Sequence, residues 1–207
     1  MGVELLTARV AGSPSGLSLN PQEERVVDAT LRCVARWGVA KTSLDDVARE
    51  AGLSRATVYR LFPGGRDGLL EVVANVEIAR FFAAVVDRLE AADDLEDLLV
   101  AGMSEAGRRI VEHDALQFLL AHEPEVVVPK LAFRQLDGVL RTAAAIAAPY
   151  LERWMSPADA LRAAEWVTRL VLSYASTPAG DISIGDEASV RRLVRAFVLP
   201  GLLQHVN

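Results

Sequence analysis

The stretch from Thr42 to Phe62 reads TSLDDVAREAGLSRATVYRLF, and no carboxylate occurs between Leu53 and Arg66. If Val58 points inward and each helical residue turns about 100°, Ala56 falls at about 160° and Arg60 at about 200°. Thr57 and Tyr59 then flank them, about 100° to either side of Val58. The outward stripe is Ala, Thr, Tyr and Arg. Small side chains permit close approach, while hydroxyls and a guanidinium offer hydrogen bonds. The absence of acids removes the repulsion a phosphate backbone would feel. Ser54 and Arg55 open this helix, whose N-terminal amides and partial positive charge can receive a phosphate oxygen. These residue types in this order suit a surface that reads duplex DNA.

Such a stripe needs a support that holds it at a fixed angle. Ala48, Gly52 and Val58 stand at i, i+4 and i+10. This spacing suits two crossing helices: a small residue at the crossing, a turn residue that tolerates positive φ, and a branched apolar plug. Ser43 followed by Asp46 is a capping-box pattern, Ser54 is a second N-cap, and Val47, Ala51, Leu53 and Leu61 complete a small core. A generic helical hairpin with a solvated polar face has much the same pattern.

The periodicity is helical almost throughout. Val26, Thr30, Cys33, Val34 and Trp37 define one face of a helix beginning at Pro21 and ended by Gly38. Leu69, Val72, Val73, Val76, Arg80 and Phe81 continue a long helix from Arg66 to about residue 91. Further helices are expected over 94–112, 114–122 and 124–147, with Pro124 and Pro149 as punctuation. Ser156-Pro157 with Asp159 starts another that runs to Ser176. A last helix from near Asp186 carries Val190, Leu193, Val194, Phe197 and Val198 on one side. With no alternating strand of useful length, the expected fold is all-α, of about nine helices. A flexible arm is expected over 1–20, a helix-turn-helix domain over 21–66, and a larger helical domain over 67–207.

Composition excludes several classes. Half of the 207 residues are apolar, which rules out a disordered chain. The single cysteine, Cys33, excludes an internal disulfide framework and suits a reducing compartment. No apolar run reaches the roughly 18–20 residues a membrane span needs, and the N-terminus lacks the pattern of a secretory signal, so a cytoplasmic location is expected. The net charge of −6 is unevenly spread: +1 over residues 1–70 and −7 over the rest. That is the sign expected of a small cationic reader on an acidic body. His113, His122 and His205 match no compact metal spacing, and no phosphate loop or nucleophile motif occurs, so neither a cofactor nor catalysis is indicated.

From about Glu23 to Leu70 the chain resembles the DNA-binding domain of TetR-family transcriptional regulators. The resemblance rests on Trp37-Gly38, Thr42-Ser43-Leu44, Val47-Ala48, Ala51-Gly52-Leu53-Ser54, Thr57-Val58-Tyr59-Arg60, Phe62 and Asp67-x-Leu69-Leu70. Two positions depart from the family's habit: Ala56, where Gly or Pro is common, and Arg66, where Lys is. The resemblance implies that Thr42, Ser43, Tyr59 and Arg66 hold phosphates, with Ser54 at the head of the reading helix. It also favours Arg55, Thr57 and Arg60 for base edges, arginine to guanine being the commonest specific pairing.

A reader of this kind works as a symmetric pair on half-sites about 34–36 Å apart, or a multiple of that. The last two helices, about 157–176 and 186–203, are expected to supply the homodimer interface. Leu161, Ala164, Thr168, Val171 and Ala175 form one apolar stripe there, and Ala163, Trp166, Leu170 and Tyr174 another. A larger intramolecular core would use the same stripes. The resemblance further implies a cavity for an unknown small effector, expected to be hydrophobic, with Phe81, Met103, Phe118, Phe133 and Trp166 as candidate lining. Function is then read as a ligand-responsive repressor bound to palindromic double-stranded DNA. Alternatives are a dimeric small-molecule-binding protein without operator binding, or an enzyme using the helical cavity.

Overall fold

The computed structural model describes residues 19–131, 136–177 and 180–203, and every regular element among them is a helix. Of the arm expected over 1–20, residues 1–18 lie outside the described residues, as does Phe133. The helices are α1 (Pro21–Lys41), α2 (Leu44–Ala51), α3 (Arg55–Leu61), α4 (Gly65–Glu90), α5 (Leu95–Val111) and α6 (Asp114–His122). There follow α7 (Pro124–Leu131), α8 (Leu136–Leu151), α9 (Pro157–Ser176) and α10 (Glu187–Leu193), the last continuing through a π turn (Val194–Val198) into α11 (Leu199–Leu203).

The chain divides into two compact units, and the division does not fall at residue 66. One unit holds the described residues up to Arg80 together with His113–Lys130; the other holds Phe81–Glu112 and the described residues from Leu131 onward.

In the first unit the helix boundaries follow from caps. Asn20 accepts from the amides of Gln22 and Glu23 while Glu23 accepts from the Asn20 amide, a capping box that opens α1. Ser43 and Asp46 form the same reciprocal pair at α2, and Ser54 accepts from the Thr57 amide at α3. Gly52 ends α2 in the left-handed region (φ 63°, ψ 38°), with its own amide bonded to Arg49 O and that of Leu53 to Ala48 O. Two bonds of this nesting form a Schellman turn, which a side chain at Gly52 would strain.

The core of this unit joins Val26, Val27, Ala29 and Cys33 of α1 with Val47, Ala48 and Ala51 of α2, Val58 of α3 and Leu69, Val73 and Val76 of α4. Val58 is fully buried, worth about 1.5–3 kcal/mol of transfer free energy. Trp37, expected on the buried face of α1, is 40% exposed. It lies in the last turn before Gly38, where the inward face is already ending.

The second unit is built around Leu98, Leu99, Val100 and Met103 of α5, Ala144, Ala148 and Leu151 of α8, Ala160, Ala163, Ala164 and Val171 of α9, and Val190, Val194 and Val198. Two details differ from the sequence reading. The described residues of the helix expected over 124–147 are helical, as α7 and α8, but α8 does not stop before Pro149 and runs on to Leu151. Proline removes one hydrogen bond in that last turn, but Leu151, only 2% exposed, anchors it in the core. Phe197, expected on the same side of the last helix as Val194 and Val198, is 69% exposed while those two are buried. The π turn spends an extra residue per turn, so the phase shifts and Val198 follows Val194 inward instead.

Candidate nucleic-acid interface

Helices α2 and α3 form the hairpin, and burial fixes which side of α3 faces outward. Val58 points into the core, while Ala56, Tyr59 and Arg60 are exposed and Thr57 is half-buried. The orientation follows from one branched apolar side chain in a helix of only seven residues.

The eight residues expected to touch DNA fall into distinct environments. Ser54, Arg55, Thr57, Tyr59 and Arg60 lie together on α3 and its cap. The Ser54 and Thr57 hydroxyls stand 2.9 Å apart, locking the first turn. The Arg55 guanidinium lies 5.3 Å from the centre of the Tyr59 ring, with Nη2 3.4 Å from its hydroxyl, and donates from Nη1 to Asp45 Oδ2 at 3.0 Å. Cation–π contact and the pair with Asp45 hold that side chain along α3. The Tyr59 hydroxyl and the Asp45 carboxylate both favour the charged guanidinium. Arg60, in contrast, is exposed and makes no hydrogen bond or ion pair among the described residues.

Thr42, Ser43 and Arg66 stand at the hairpin's base and are committed to internal bonds. Thr42 is 3% exposed, and its hydroxyl donates to Gly38 O at 2.6 Å. The Ser43 hydroxyl donates to Asp46 Oδ2 at 2.5 Å and helps hold that carboxyl below its usual range. Arg66 donates from Nε to Thr42 O at 2.8 Å and from Nη2 to Val39 O, and pairs with Asp67 at 3.3 Å.

Of the expected pocket residues that are described, Phe118 belongs to the first unit and Phe81, Met103 and Trp166 to the second. Phe118, in the first unit, stacks on His122 with ring centres 4.4 Å apart. It lines an open hollow of about 630 Å³ with Arg32 and Arg36, which holds none of the other candidates. In the second unit Met103 is 1% exposed within close packing, and Phe81 meets Phe82 edge to face at 5.3 Å. Trp166, expected as pocket lining, is instead 39% exposed on α9. Ala163, Ala164 and Val171 take the inward face of that helix, which leaves Trp166 on the outer side.

Three features escaped the sequence reading. Asp45 on Arg55 and Glu123 on the turn at Gly38 are contacts between distant residues, and no local pattern announces them. Thr142 of α8 is 5% exposed with no hydrogen-bond partner for its hydroxyl among the described residues. Threonine is common enough in helices that only burial makes it informative.

Comparison with known proteins places the hairpin in a family context. Residues 26–73 match the bacterial regulatory proteins of the tetR family. An uncharacterised HTH-type transcriptional regulator of Mycobacterium tuberculosis is 26% identical over 180 residues, spanning 86% of this chain and 83% of that protein. The HTH-type transcriptional regulator BetI of Burkholderia mallei is 37% identical over 70 residues, or 34% of this chain and 35% of that one. Among solved structures, the TetR-family repressor AlkX from Dietzia, implicated in biodegradation of n-alkanes, superposes with a TM-score of 0.61 at 24% identity. The match covers 88% of this chain and 98% of that one. FadR of Bacillus halodurans, a fatty acid degradation regulator, gives 0.63 at 16% identity over 86% and 96% of the two chains. Both share the fold.

Proposed function

We propose that the chain, whose residues 26–73 match the tetR family of bacterial regulatory proteins, acts as a dimeric, ligand-responsive repressor of a palindromic operator. The observation that carries this reading is the outer face of α3. Ala56, Tyr59 and Arg60 are exposed around a buried Val58, and no acid lies on that helix.

In this reading Arg60 reads a base edge, Ser54, Thr57 and Tyr59 bind sugar–phosphate, and Arg55 contributes after exchanging Asp45 for phosphate. Thr42, Ser43 and Arg66 hold the hairpin in place from behind. One such helix covers few base pairs, so recognition requires a second copy related by a two-fold axis. Support for the pair comes from Leu161 and Trp166 on α9 and Phe197 in the π turn. They are 48%, 39% and 69% exposed in the protomer, large apolar side chains that a partner would cover.

Effector binding is supported by Thr142. A buried hydroxyl without a partner is costly unless something satisfies it, and a ligand with one polar group on an apolar body would do so. A fatty acid joins one polar group to an apolar body and is therefore the first probe, one fold neighbour being a fatty acid degradation regulator. An effector lowers operator affinity by binding more tightly to a conformer in which the two readers no longer match the groove spacing. Helix α4, which contributes to both units without a break, is the natural lever.

The deciding experiment is selection of bound fragments from a pool of random duplex DNA. Recovery of an inverted repeat with half-sites one or more helical turns apart is expected. Binding to no duplex at low salt would end this assignment.

A further inference from the structure

Helix α1 loses its regular course at Gly38, where φ is 81° and ψ 173°, and resumes for one turn before Thr42. A break of this kind exposes main-chain donors and acceptors that the helix no longer pairs. Distant side chains take them up here. Glu123 accepts from the Val39 amide at 2.8 Å and from the Ala40 amide at 3.3 Å. From the other direction, Arg66 donates to the carbonyl oxygens of Val39 and Thr42. Val39 is therefore gripped at its N–H by a carboxylate and at its C=O by a guanidinium.

Two independent features show that the fit is close. A Cβ at Gly38 would stand 2.1 Å from Oε1 of Glu123 and 3.0 Å from Cε1 of Phe118, so glycine's missing side chain makes room for the carboxylate. Glu123 is also fixed by its own backbone. Its amide caps α6 through Leu119 O at 2.9 Å, its carbonyl accepts from the Val126 amide at 3.0 Å, and Pro124 begins α7 directly after it. These bonds fix the Glu123 backbone at the junction of α6 and α7, so a shift of that junction carries the root of the carboxylate with it.

We infer that Glu123 is a positioning residue for DNA recognition, coupling the α6–α7 junction to the reading hairpin through the Gly38–Thr42 turn. The turn leads directly into Ser43, the cap of α2, so its orientation sets the angle at which α2 and α3 meet a duplex. The inference rests on reading that hairpin as the DNA-binding element. Arg66 completes the clamp from the head of α4. The α6–α7 junction, far from α3 in sequence, and the head of α4, close to it, therefore converge on five residues of backbone.

The test uses the full-length chain and the duplex recovered by selection, with binding followed by fluorescence anisotropy. Glu123→Ala is expected to weaken binding about tenfold or more, the loss of charge-assisted hydrogen bonds that hold the reader. Its helical content by circular dichroism should stay that of the wild type. Glu123→Gln keeps one acceptor oxygen and is expected to recover most of the affinity. Hydrogen exchange at the Val39 and Ala40 amides supplies a readout that does not involve DNA, and it should accelerate in the alanine variant. Arg66→Ala is expected to lower affinity with an unchanged salt slope, since its guanidinium sits on carbonyls. A slope shallower by about one would place Arg66 on a phosphate and overturn its half of the clamp. Glu123→Ala binding as tightly as wild type, or unchanged exchange at Val39 and Ala40, overturns the role of Glu123. Failure of the wild type to bind any duplex overturns the functional reading instead, and amide exchange still decides whether the clamp exists.

Discussion

Nη1 of Arg55 lies 3.0 Å from Oδ2 of Asp45, so the first arginine of the reading helix is paired within the protein, whereas Arg60, five residues later, has no such partner among the described residues. Both members of that pair are more than half exposed. An exposed pair of this kind contributes only about 0–1 kcal/mol and is readily exchanged. The two arginines should therefore behave differently. Arg60→Ala is expected to relax selectivity at one base position by about 1–3 kcal/mol. Asp45→Asn, which frees Arg55 and removes a neighbouring negative charge, should strengthen binding to every duplex and steepen the salt slope by about one. Titration of matched and mismatched duplexes across salt concentrations separates the two effects.

Phe197 tests the dimer. Because its side chain is largely exposed in the protomer, Phe197→Asp should leave folding intact while weakening association by about 2 kcal/mol or more, if the residue sits at the centre of an interface. Sedimentation equilibrium should show the shift toward monomer, and operator affinity should fall with it. An unaltered dimer would move the interface elsewhere.

Thr142 tests the unsatisfied hydroxyl. A buried donor without a partner costs about 1–3 kcal/mol, so Thr142→Val, which keeps the shape, should stabilise the ligand-free protein by about 1 kcal/mol or more. For a chain of this length that raises Tm by roughly 2–4 °C. If a fatty acid is the effector proposed above, the same variant should be released from DNA by it less readily than the wild type.

His113 sets a pH dependence in the first unit. Its Nε2 lies 3.1 Å from Glu77 Oε2, and this hydrogen bond raises the imidazole pKa above its ordinary value near 6.5, against burial. Nδ1 accepts from the Leu116 amide at 3.2 Å, a role that requires a free lone pair and so favours the neutral ring with Nε2–H donating to Glu77. Burial pushes the Glu77 carboxyl up, but hydrogen bonds from His113 and Arg80 outweigh it and the net shift is down. A raised histidine stabilises the folded state fully below 6.5, and that contribution is lost as pH rises through the folded-state value. A lowered glutamate contributes above its ordinary 4.5 and loses that contribution as pH falls through its folded-state value. Denaturant unfolding should show the pair's full contribution between these limits and a decline above pH 6.5. His113→Asn, whose side-chain oxygen can still cap α6, should remove the decline on the alkaline side.

The chain's own order of residues determined the helical hairpin and the side of it that faces out. Ser43, Gly52, Ser54 and Val58 act on neighbours within a few positions, through caps, a left-handed turn and a 3.6-residue period, and such short-range effects can be read along a line of letters. What lies behind the hairpin was settled only in three dimensions. Arg66 turned to carbonyls, Asp45 found Arg55, and Glu123 reached across more than eighty positions to Val39, because a long side chain takes whichever partner packing brings near. The exposure of Phe197 has the same origin: one extra residue in a helical turn rotates everything after it, and only a neighbouring core can select that turn.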